Sequence, residues 1–539
     1  MADLSEQATH RIIGAYGEPF LRYVFALPED KPVLEALQST RAEYVVLLQT
    51  AIDQTPYSGN GDVDFTFTAS SSFAYYRKEL GGSLANYLHR MAGGDAKKIP
   101  SGKDPVVQAI REVAHDVWPS LLLTPPKHGP RAFWMSTTAG IFSHPKAVEA
   151  CKTFMADSEL KALFPNTPSI EEATSINEVI LQIQANWILS SGQGGSKQLI
   201  SIIDAIIFNA AVHAQLDGSP LNERGLMSAI PSSVEAFRTL ATMKPVEVPA
   251  IIGFSGLRIE DDTVLKFGDD ELRGVRPVEK NLLLNEADRV SSVFTTNFPI
   301  QLLKVSAFNP SEPDDFIKVW NKYSARIQES HRTLQRRIDR ARLSILLAST
   351  DEELLATSEV SRYIADPTQP GGLSNWQMDP RTPASYALKA GQDKEVLRFH
   401  ALIQEKHPES LDIAMKRILG AVSQRWDATD AFIDAVVVWE NAFGTSTETT
   451  FRVTGSIAKL LEPGSSDERA KLQKELKNLY ETRSRLVHGA KEPKPEEAWT
   501  QRERAIQIAL EVLRKLYVER PDLLELSSEL RSAQLLLEG

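Results

Sequence analysis

Apolar residues recur with a helical period along most of this 539-residue chain, and that periodicity restricts its fold more than any other feature. In residues 26–53 and 104–123, for example, they stand three and four positions apart, which puts them on one face of an α-helix. From about Val246 the pattern changes to short β-branched runs separated by Gly and Asp-Asp turns, which predicts three or four strands of a small sheet. The helical period then returns. We therefore predict a mainly α, multidomain protein with a small central β-region.

These changes of pattern also predict where the chain divides. We expect a mostly helical N-terminal region, a small β-rich region, a helical connector, a linker and a C-terminal helical bundle. The linker is predicted from its prolines and its Gly-Gly pair. The N-terminal region is predicted to span residues 1–245, the β-rich region 246–310, the connector 311–364, the linker 365–383 and the bundle 384–539.

Two finer predictions fall inside the N-terminal region. Residues 169–191 and 197–216 have the spacing of a helix pair, which predicts a helix–helix turn at the intervening Gly-Gln-Gly-Gly, residues 192–195. This segment lacks the residue order of a phosphate-binding loop. Residues 62–70, DVDFTFTAS, alternate polar and apolar side chains and predict a short strand or hairpin.

Composition excludes several classes of protein. The formal net charge of −11 argues against a chain that coats nucleic acid through bulk electrostatics. Cys151 is the single cysteine, so neither an intramolecular disulfide nor a thiolate zinc cluster is expected. The histidines lack ligand spacing, and no apolar run approaches the roughly 20 residues of a membrane span. We predict a cytoplasmic protein without a metal site, a cofactor or a membrane association; the N-terminus also lacks the pattern of a secretory signal.

The C-terminal region has the spacing of a helical bundle. Four helical stretches are joined by short loops, which favours up-and-down packing. They are residues 411–426, residues 429–443, a stretch that begins near Ser465 with a capping box to Glu468, and residues 501–518.

Arg483 occupies an unexpected position in the third of these helices. At 100° per residue it lies in the middle of an apolar stripe, where a guanidinium needs a partner charge, an anion or a wet interface. Glu440 interrupts the apolar face of the second helix in the same way. There are two alternatives: Glu440 pairs with Arg483, or its carboxylate extends to the edge of its helix. The stripe around Arg483 consists of Leu472, Leu476, Leu479, Leu486 and Val487.

His488 lies five positions after Arg483, and this pair carries recognisable chemistry. Histidine titrates near neutral pH and can accept or donate a proton. Arginine can bind two phosphate oxygens and stabilise developing negative charge. These two groups are what cleavage of RNA by its own 2′-hydroxyl requires. Neither role needs a metal ion.

These segments resemble one protein family. DAVVVWENAFG (434–444), FRVTGSIAKLL (451–461) and LKNLYETRSRLVHGAKEP (476–493) are similar to the Apea-like branch of the HEPN superfamily. The superfamily's ribonuclease motif is an arginine, four to six residues and a histidine near the end of the third bundle helix, and here it is Arg483 to His488. The resemblance covers about residues 411–517.

Two positions differ from the family pattern. Ser484 comes after the motif arginine where Asn, Asp or His is common. An arginine expected near Gly455 is missing, whereas Gly489 comes after the motif histidine as it does in the Apea-like branch.

The resemblance implies a metal-independent endoribonuclease that acts as a homodimer on an RNA substrate. Arg483 and His488 would be catalytic, with Glu440, Tyr480, Ser484 and Arg485 in support. It also implies a role in prokaryotic anti-phage or toxin-like defence, with a phage-derived or protein trigger acting on a sensory or regulatory N-terminal region. The alternatives are a non-catalytic HEPN module that dimerises and scaffolds a partner, and a neutralising subunit for a partner enzyme.

Two basic clusters remain. One surrounds the motif and is expected to attract anions; it comprises Lys471, Lys474, Lys477, Arg483, Arg485, Lys491 and Lys494. The other lies on one predicted helix and forms either a solvated or interdomain face or an RNA contact; it comprises Arg332, Arg336, Arg337 and Arg340.

Overall fold

A computed structural model shows a chain that is 62% helical with a small sheet region, which confirms the predicted mainly α class. The structure describes residues 6–28, 30–39, 42–54, 69, 72–95, 98–124, 138–192, 194–260, 262–283, 288–305, 313–350, 353–376, 383–489 and 493–537. The predicted strand at residues 62–70 lies outside this described part, apart from Ala69.

The N-terminal region is built mainly from helices. One of them, Pro105–Val117, shows why they form: Asp104 accepts hydrogen bonds from the backbone N–H groups of Val106 and Val107 at 2.9 and 3.2 Å, and Pro105 fills the first helical position. The described helices are α1 Glu6–Tyr16, α2 Glu18–Val24, α3 Val33–Ser39, α4 Ala42–Gln54, α5 Leu84–Met91, α6 Pro105–Val117, α7 Thr138–Ser143, α8 Ala147–Ala156, α9 Ile176–Gln182, α10 Leu199–Leu216 and α11 Glu223–Ala241.

Helix α10 is the central helix of this region. By length and composition it could cross a membrane, but 78% of it is buried inside the fold, as in the core helix of a soluble protein. It packs against α11. Pro231 interrupts α11 and cannot donate to the carbonyl of Met227. Arg111 of α6 replaces that donor, because its Nε and Nη2 atoms lie 3.0 and 2.8 Å from the Met227 oxygen.

The predicted turn between two helices is a β-hairpin, so the helix-pair prediction is wrong over residues 184–198. Strand β3, Gln184–Leu189, pairs with β4, Gly194–Gln198, and the helical part is limited to α9 and α10. Along β3 the side chains of Ala185, Trp187 and Leu189 are buried while Gln184 and Asn186 are exposed. This alternating strand pattern comes directly after a helical pattern. The two patterns overlap in sequence, so the strand is read as a continuation of the helix.

A six-stranded antiparallel sheet forms the centre of the molecule. Across the sheet the strands come in the order β12 (Leu373–Trp376), β11 (Ser358–Ile364), β5 (Val246–Ser255), β9 (Ser292–Ile300), β8 (Asp270–Arg273) and β7 (Val264–Phe267). The longest pairing joins β5 to β9, from Val246 opposite Ile300 to Phe254 opposite Ser292. The first two short strands, β1 Tyr76–Arg77 and β2 Gly82–Ser83, pair with each other. The later elements are β5 Val246–Ser255, β6 Leu257–Arg258, β7 Val264–Phe267, β8 Asp270–Arg273, α12 Pro277–Leu282, β9 Ser292–Ile300, β10 Leu302–Lys304, β11 Ser358–Ile364, β12 Leu373–Trp376 and β13 Tyr386–Ala387.

Strands from three predicted regions meet in this sheet. Strand β11 comes from the predicted connector and β12 from the predicted linker, yet both belong to the sheet that residues 246–300 begin. The connector's helix is one element, α13, Pro313–Leu347, of 35 residues. The predicted boundaries at 311 and 365 therefore do not separate independent units, because the sheet is completed by strands on both sides of them.

The predicted linker is folded into the protein, at least over residues 365–376. The side-chain amide of Asn209 on α10 donates to the carbonyls of Asp366, Pro367 and Gln369, and its oxygen accepts the N–H of Gly371 at 3.0 Å. Gly372 has φ +73°, and a Cβ there would lie 2.6 Å from the Tyr363 ring. The proline and glycine content thus encodes a tight turn around a buried amide, because the same residues serve turns and linkers.

The C-terminal bundle confirms the four predicted helical stretches and contains further helices. Helix α17, Thr449–Leu461, lies between the second and third predicted helices. Helices α14, Gln392–Lys406, and α21, Ser528–Leu537, extend the bundle at its two ends. The buried Arg531 of α21 donates to the carbonyls of Ala442 and Leu523 and to the hydroxyl of Ser410, so carbonyls near helix C-termini compensate its charge. The helices are α14 Gln392–Lys406, α15 Asp412–Ser423, α16 Ala428–Phe443, α17 Thr449–Leu461, α18 Ser466–Val487, α19 Pro495–Val518, α20 Pro521–Leu524 and α21 Ser528–Leu537.

Candidate functional site

The motif helix α18 lies at the periphery of the bundle, where it packs mainly on α17 and touches α16. Only Leu476, Leu479 and Tyr480 are buried along its length. Ser465 caps its start by accepting the N–H of Glu468 at 3.2 Å. The Glu468 carboxylate accepts Lys471 Nζ at 2.8 Å, whereas the predicted capping box would have it reach back to Ser465. A helix with so little burial has most of its surface available to a partner.

The end of α18 differs from the prediction at one residue. The apolar spacing predicts Val487 on the buried stripe, but its side chain is 51% exposed. Leu486 is half-buried and packs against the core, and among the described residues the stripe makes no core contact after it. An apolar side chain is therefore exposed directly beside His488.

Glu440 and Arg483 form the ion pair that is one of the two predicted alternatives. Arg483 Nη2 donates to Glu440 Oε2 at 2.9 Å, and the two side chains are 22% and 23% exposed. Tyr480, one turn before Arg483, donates its hydroxyl to Glu440 Oε1 at 2.7 Å. One carboxylate on α16 thus holds two side chains of α18 and fixes this part of the motif helix.

The three groups influence one another electrostatically. Burial raises the pKa of the Tyr480 phenol, and the adjacent Glu440 carboxylate raises it further because ionised tyrosine would carry a like charge. Tyr480 therefore stays protonated and acts as a hydrogen-bond donor to Glu440. The Nε atom of Arg483 is buried without a hydrogen-bond acceptor among the described residues. The guanidinium thus retains donor capacity that Glu440 does not use.

His488 lies outside this network. It is the C-cap residue of α18, its backbone N–H reaches the Ser484 carbonyl at 3.2 Å, and its side chain is exposed. Gly489 comes next with φ +80°, the left-handed conformation that glycine adopts at a helix end. Its N–H donates to the Leu486 carbonyl at 3.1 Å. The helix ending therefore presents the imidazole to solvent one turn beyond the anchored Arg483.

The remaining predicted site residues are not brought into the network. Ser484 is half-buried, and Arg485 is exposed and donates to the Thr482 hydroxyl at 3.1 Å. Much of the basic cluster around the motif is compensated, since Lys471 pairs with Glu468 and Lys477 lies 3.8 Å from Glu481. Lys491 lies outside the described residues.

The missing arginine near Gly455 has a packing explanation. A Cβ at Gly455 would lie 3.2 Å from Leu536 Cδ2 on α21 and 3.7 Å from Gln473 Nε2 on α18. Helix α21 is not among the four helical stretches that the sequence predicts for the bundle. Its presence leaves no room for a long side chain at this position.

Within the described residues, no group of three or more His, Cys, Asp and Glu side chains is placed to hold a metal ion. The expectation of a reaction without metal or cofactor remains a prediction. A comparison with known proteins found no matching family model, no similar curated protein and no similar solved structure.

Proposed function

We propose that this chain is a metal-independent endoribonuclease whose C-terminal bundle is of the HEPN type. The observation that carries the proposal is the arrangement at the end of α18. Arg483 is held in a defined position by Glu440, while His488 is exposed one turn further along the same helix. A fixed cation and an accessible proton carrier on the same helix are the pair of groups that RNA transesterification needs.

In the proposed reaction, His488 accepts the proton of an RNA 2′-hydroxyl. The 2′-oxygen then bonds to the adjacent phosphorus, and the bond from phosphorus to the 5′-oxygen breaks. The 5′-oxygen takes a proton from a second group, for which the histidine of a second copy is the candidate. Arg483 supports the phosphorane by donating hydrogen bonds to its non-bridging oxygens.

A homodimer would supply both proton carriers. The exposed Val487 beside His488 supports this arrangement, because an apolar side chain at the motif can pack against the same residue of a second copy across a two-fold axis. The N-terminal 370 residues would sense a phage-derived or protein trigger, or restrain the nuclease, in prokaryotic anti-phage or toxin-like defence in the cytoplasm.

A second candidate function is a non-catalytic HEPN module that dimerises and scaffolds a partner. The Glu440–Arg483 pair supports it, since the charge of Arg483 is already compensated within the chain and a phosphate would have to compete with Glu440. A neutralising subunit for a partner enzyme is a variant of this candidate.

Cleavage of cellular RNA by the full chain, in the presence and absence of its trigger in cells, tests the proposal. His488→Ala and Arg483→Ala should abolish cleavage, and EDTA should leave it intact. Arg398→Ala is the matched control, because this arginine is exposed on α14 and is not one of the predicted site residues. Wild-type behaviour of His488→Ala in every format would favour the scaffold.

A further inference from the structure

Five basic side chains form a line along the outer face of the long helix α13. At 100° and about 1.5 Å per residue they fall within an arc of roughly 120° and extend for about 27 Å. Four are exposed and the fifth, Arg336, is half-exposed, with 42% of its side chain accessible. We call this surface the basic stripe, and it consists of Lys318, Lys322, Arg326, Arg332 and Arg336.

Carboxylates compensate three of the five side chains of the basic stripe. Glu329 lies on it, 3.8 Å from Arg332 and 3.6 Å from Arg336, and Asp315 lies 3.5 Å from Lys318. Lys322 and Arg326 form no ion pair with any residue that the structure describes. Such an excess of positive charge on one line contrasts with the formal net charge of −11 for the whole chain.

The other two arginines of the predicted cluster have structural roles. Arg337 donates through Nε to Asp270 at 2.9 Å and through Nη1 to the Asn297 carbonyl at 3.2 Å. Arg340 donates to Gln404 on α14 at 2.6 Å. Both arginines thus contact neighbouring elements of the fold, and the basic stripe ends where α14 packs against α13.

Helix α13 is anchored at its C-terminal end and again at Tyr323, so the part of the basic stripe between these contacts has a fixed position relative to the bundle. Arg342 donates to the Ser423 hydroxyl on α15 at 2.7 Å, and Arg514 on α19 donates to the Leu347 and Ser349 carbonyls at 2.9 and 2.6 Å. Near the other end, the Tyr323 hydroxyl donates to backbone carbonyls of the β3–β10 sheet.

We propose that the basic stripe binds the phosphate backbone of the RNA on which the C-terminal bundle acts, an inference that rests on the proposed function. Cations that recur every one to two turns along a line match a polyanion with evenly spaced charges. Protein-binding surfaces, by contrast, concentrate aromatic and apolar side chains at their centre and exclude lysine. The basic stripe would capture RNA without sequence preference before the C-terminal bundle cleaves it.

Binding of a fluorescent, fully 2′-O-methylated single-stranded RNA tests this proposal, because the probe cannot be cleaved through its 2′-oxygen. The full chain is compared with a triple variant, Lys318→Gln, Lys322→Gln and Arg326→Gln. We expect at least a tenfold loss of affinity at low salt, and a decrease of about 2 in the slope of log affinity against log salt, from three lost phosphate contacts. The matched control is Lys78→Gln, Lys161→Gln and Lys394→Gln, which changes net charge equally at exposed positions elsewhere.

Equal affinity of the stripe variant and the control would overturn the proposal. Failure of the wild-type chain to bind the probe would also overturn it. An acidic protein would then be the remaining candidate partner of the basic stripe. Failure of the nuclease proposal is distinguishable, since His488→Ala would then behave as wild type in cells while the stripe variant still lost affinity for the probe.

Discussion

Replacing Arg483 with alanine should destabilise the bundle by less than the loss of a fully buried ion pair. Arg483 donates one hydrogen bond to Glu440, at 2.9 Å, and both side chains are about a fifth exposed, at 22% and 23%. After the substitution, water can reach the carboxylate and Tyr480 still donates to it at 2.7 Å. We therefore expect a loss of about 1–2 kcal/mol, compared with roughly 3–5 kcal/mol for a broken buried pair.

Differential scanning calorimetry of the full chain measures this loss as a fall in the melting temperature of the unit that contains the bundle. For a unit of this size we expect a decrease of about 2–8 °C. Arg485→Ala is the control; its guanidinium is exposed and donates only to Thr482, so its effect should stay within about 0.5 kcal/mol.

A double-mutant cycle isolates the pair itself. Glu440→Gln keeps an oxygen that can accept from Tyr480 but removes the charge that faces Arg483. If the ion pair stabilises the fold, the effects of Glu440→Gln and Arg483→Ala should be less than additive by about 1 kcal/mol. Additive effects, or an unchanged melting temperature for Arg483→Ala, would refute the pairing argument.

Three further predictions concern stability elsewhere in the chain. Burial against Phe267 lowers the pKa of His400 to about 4, below its usual value. At acidic pH the unfolded state therefore binds more protons than the folded state, and the stability of the protein falls as the pH drops. His400 alone should contribute a loss of roughly 2 kcal/mol between about pH 7.5 and pH 5, and urea unfolding of His400→Leu should show that much less pH dependence. Arg111→Ala should lower stability by about 1–2 kcal/mol because the Met227 carbonyl loses its donor. Adding Pro231→Ala should restore part of that loss, because alanine supplies a backbone N–H. A double variant less stable than Arg111→Ala would contradict this explanation. Gly372→Ala should lower the melting temperature more than Gly391→Ala, because both have positive φ but only Gly372 packs against Tyr363; equal effects would argue against the tight turn.

The sequence predicts those features that depend on local spacing. The charges of Arg483 and Glu440 interrupt apolar faces, a pattern that leaves two alternatives for Glu440, and the structure contains the pair. The mainly α class is predicted from the helical period in the same way. The motif histidine is expected near the end of its helix, and the structure has His488 at the C-cap of α18.

Features that depend on distant contacts are not predictable from local pattern. The segment after Ala365 has the composition of a linker, and contacts with Asn209, more than 150 positions earlier, help to make it a folded turn. Val487 fits the apolar stripe of α18, but whether it is buried depends on where the neighbouring helices end. The strand at 184–189 is hidden because helical and alternating patterns overlap there.

His488 and Arg483 are proposed to promote attack by the RNA's own 2′-hydroxyl, and one measurement tests this most directly. It uses RNA with a single 2′-deoxy nucleotide at a mapped cleavage site, incubated with the triggered full chain in EDTA. We expect cleavage of the all-ribose RNA with a 2′,3′-cyclic phosphate or 3′-phosphate end, and no cleavage at the deoxy position. Cleavage at the deoxy position, 5′-phosphate ends, or activity that EDTA abolishes would contradict the proposed mechanism.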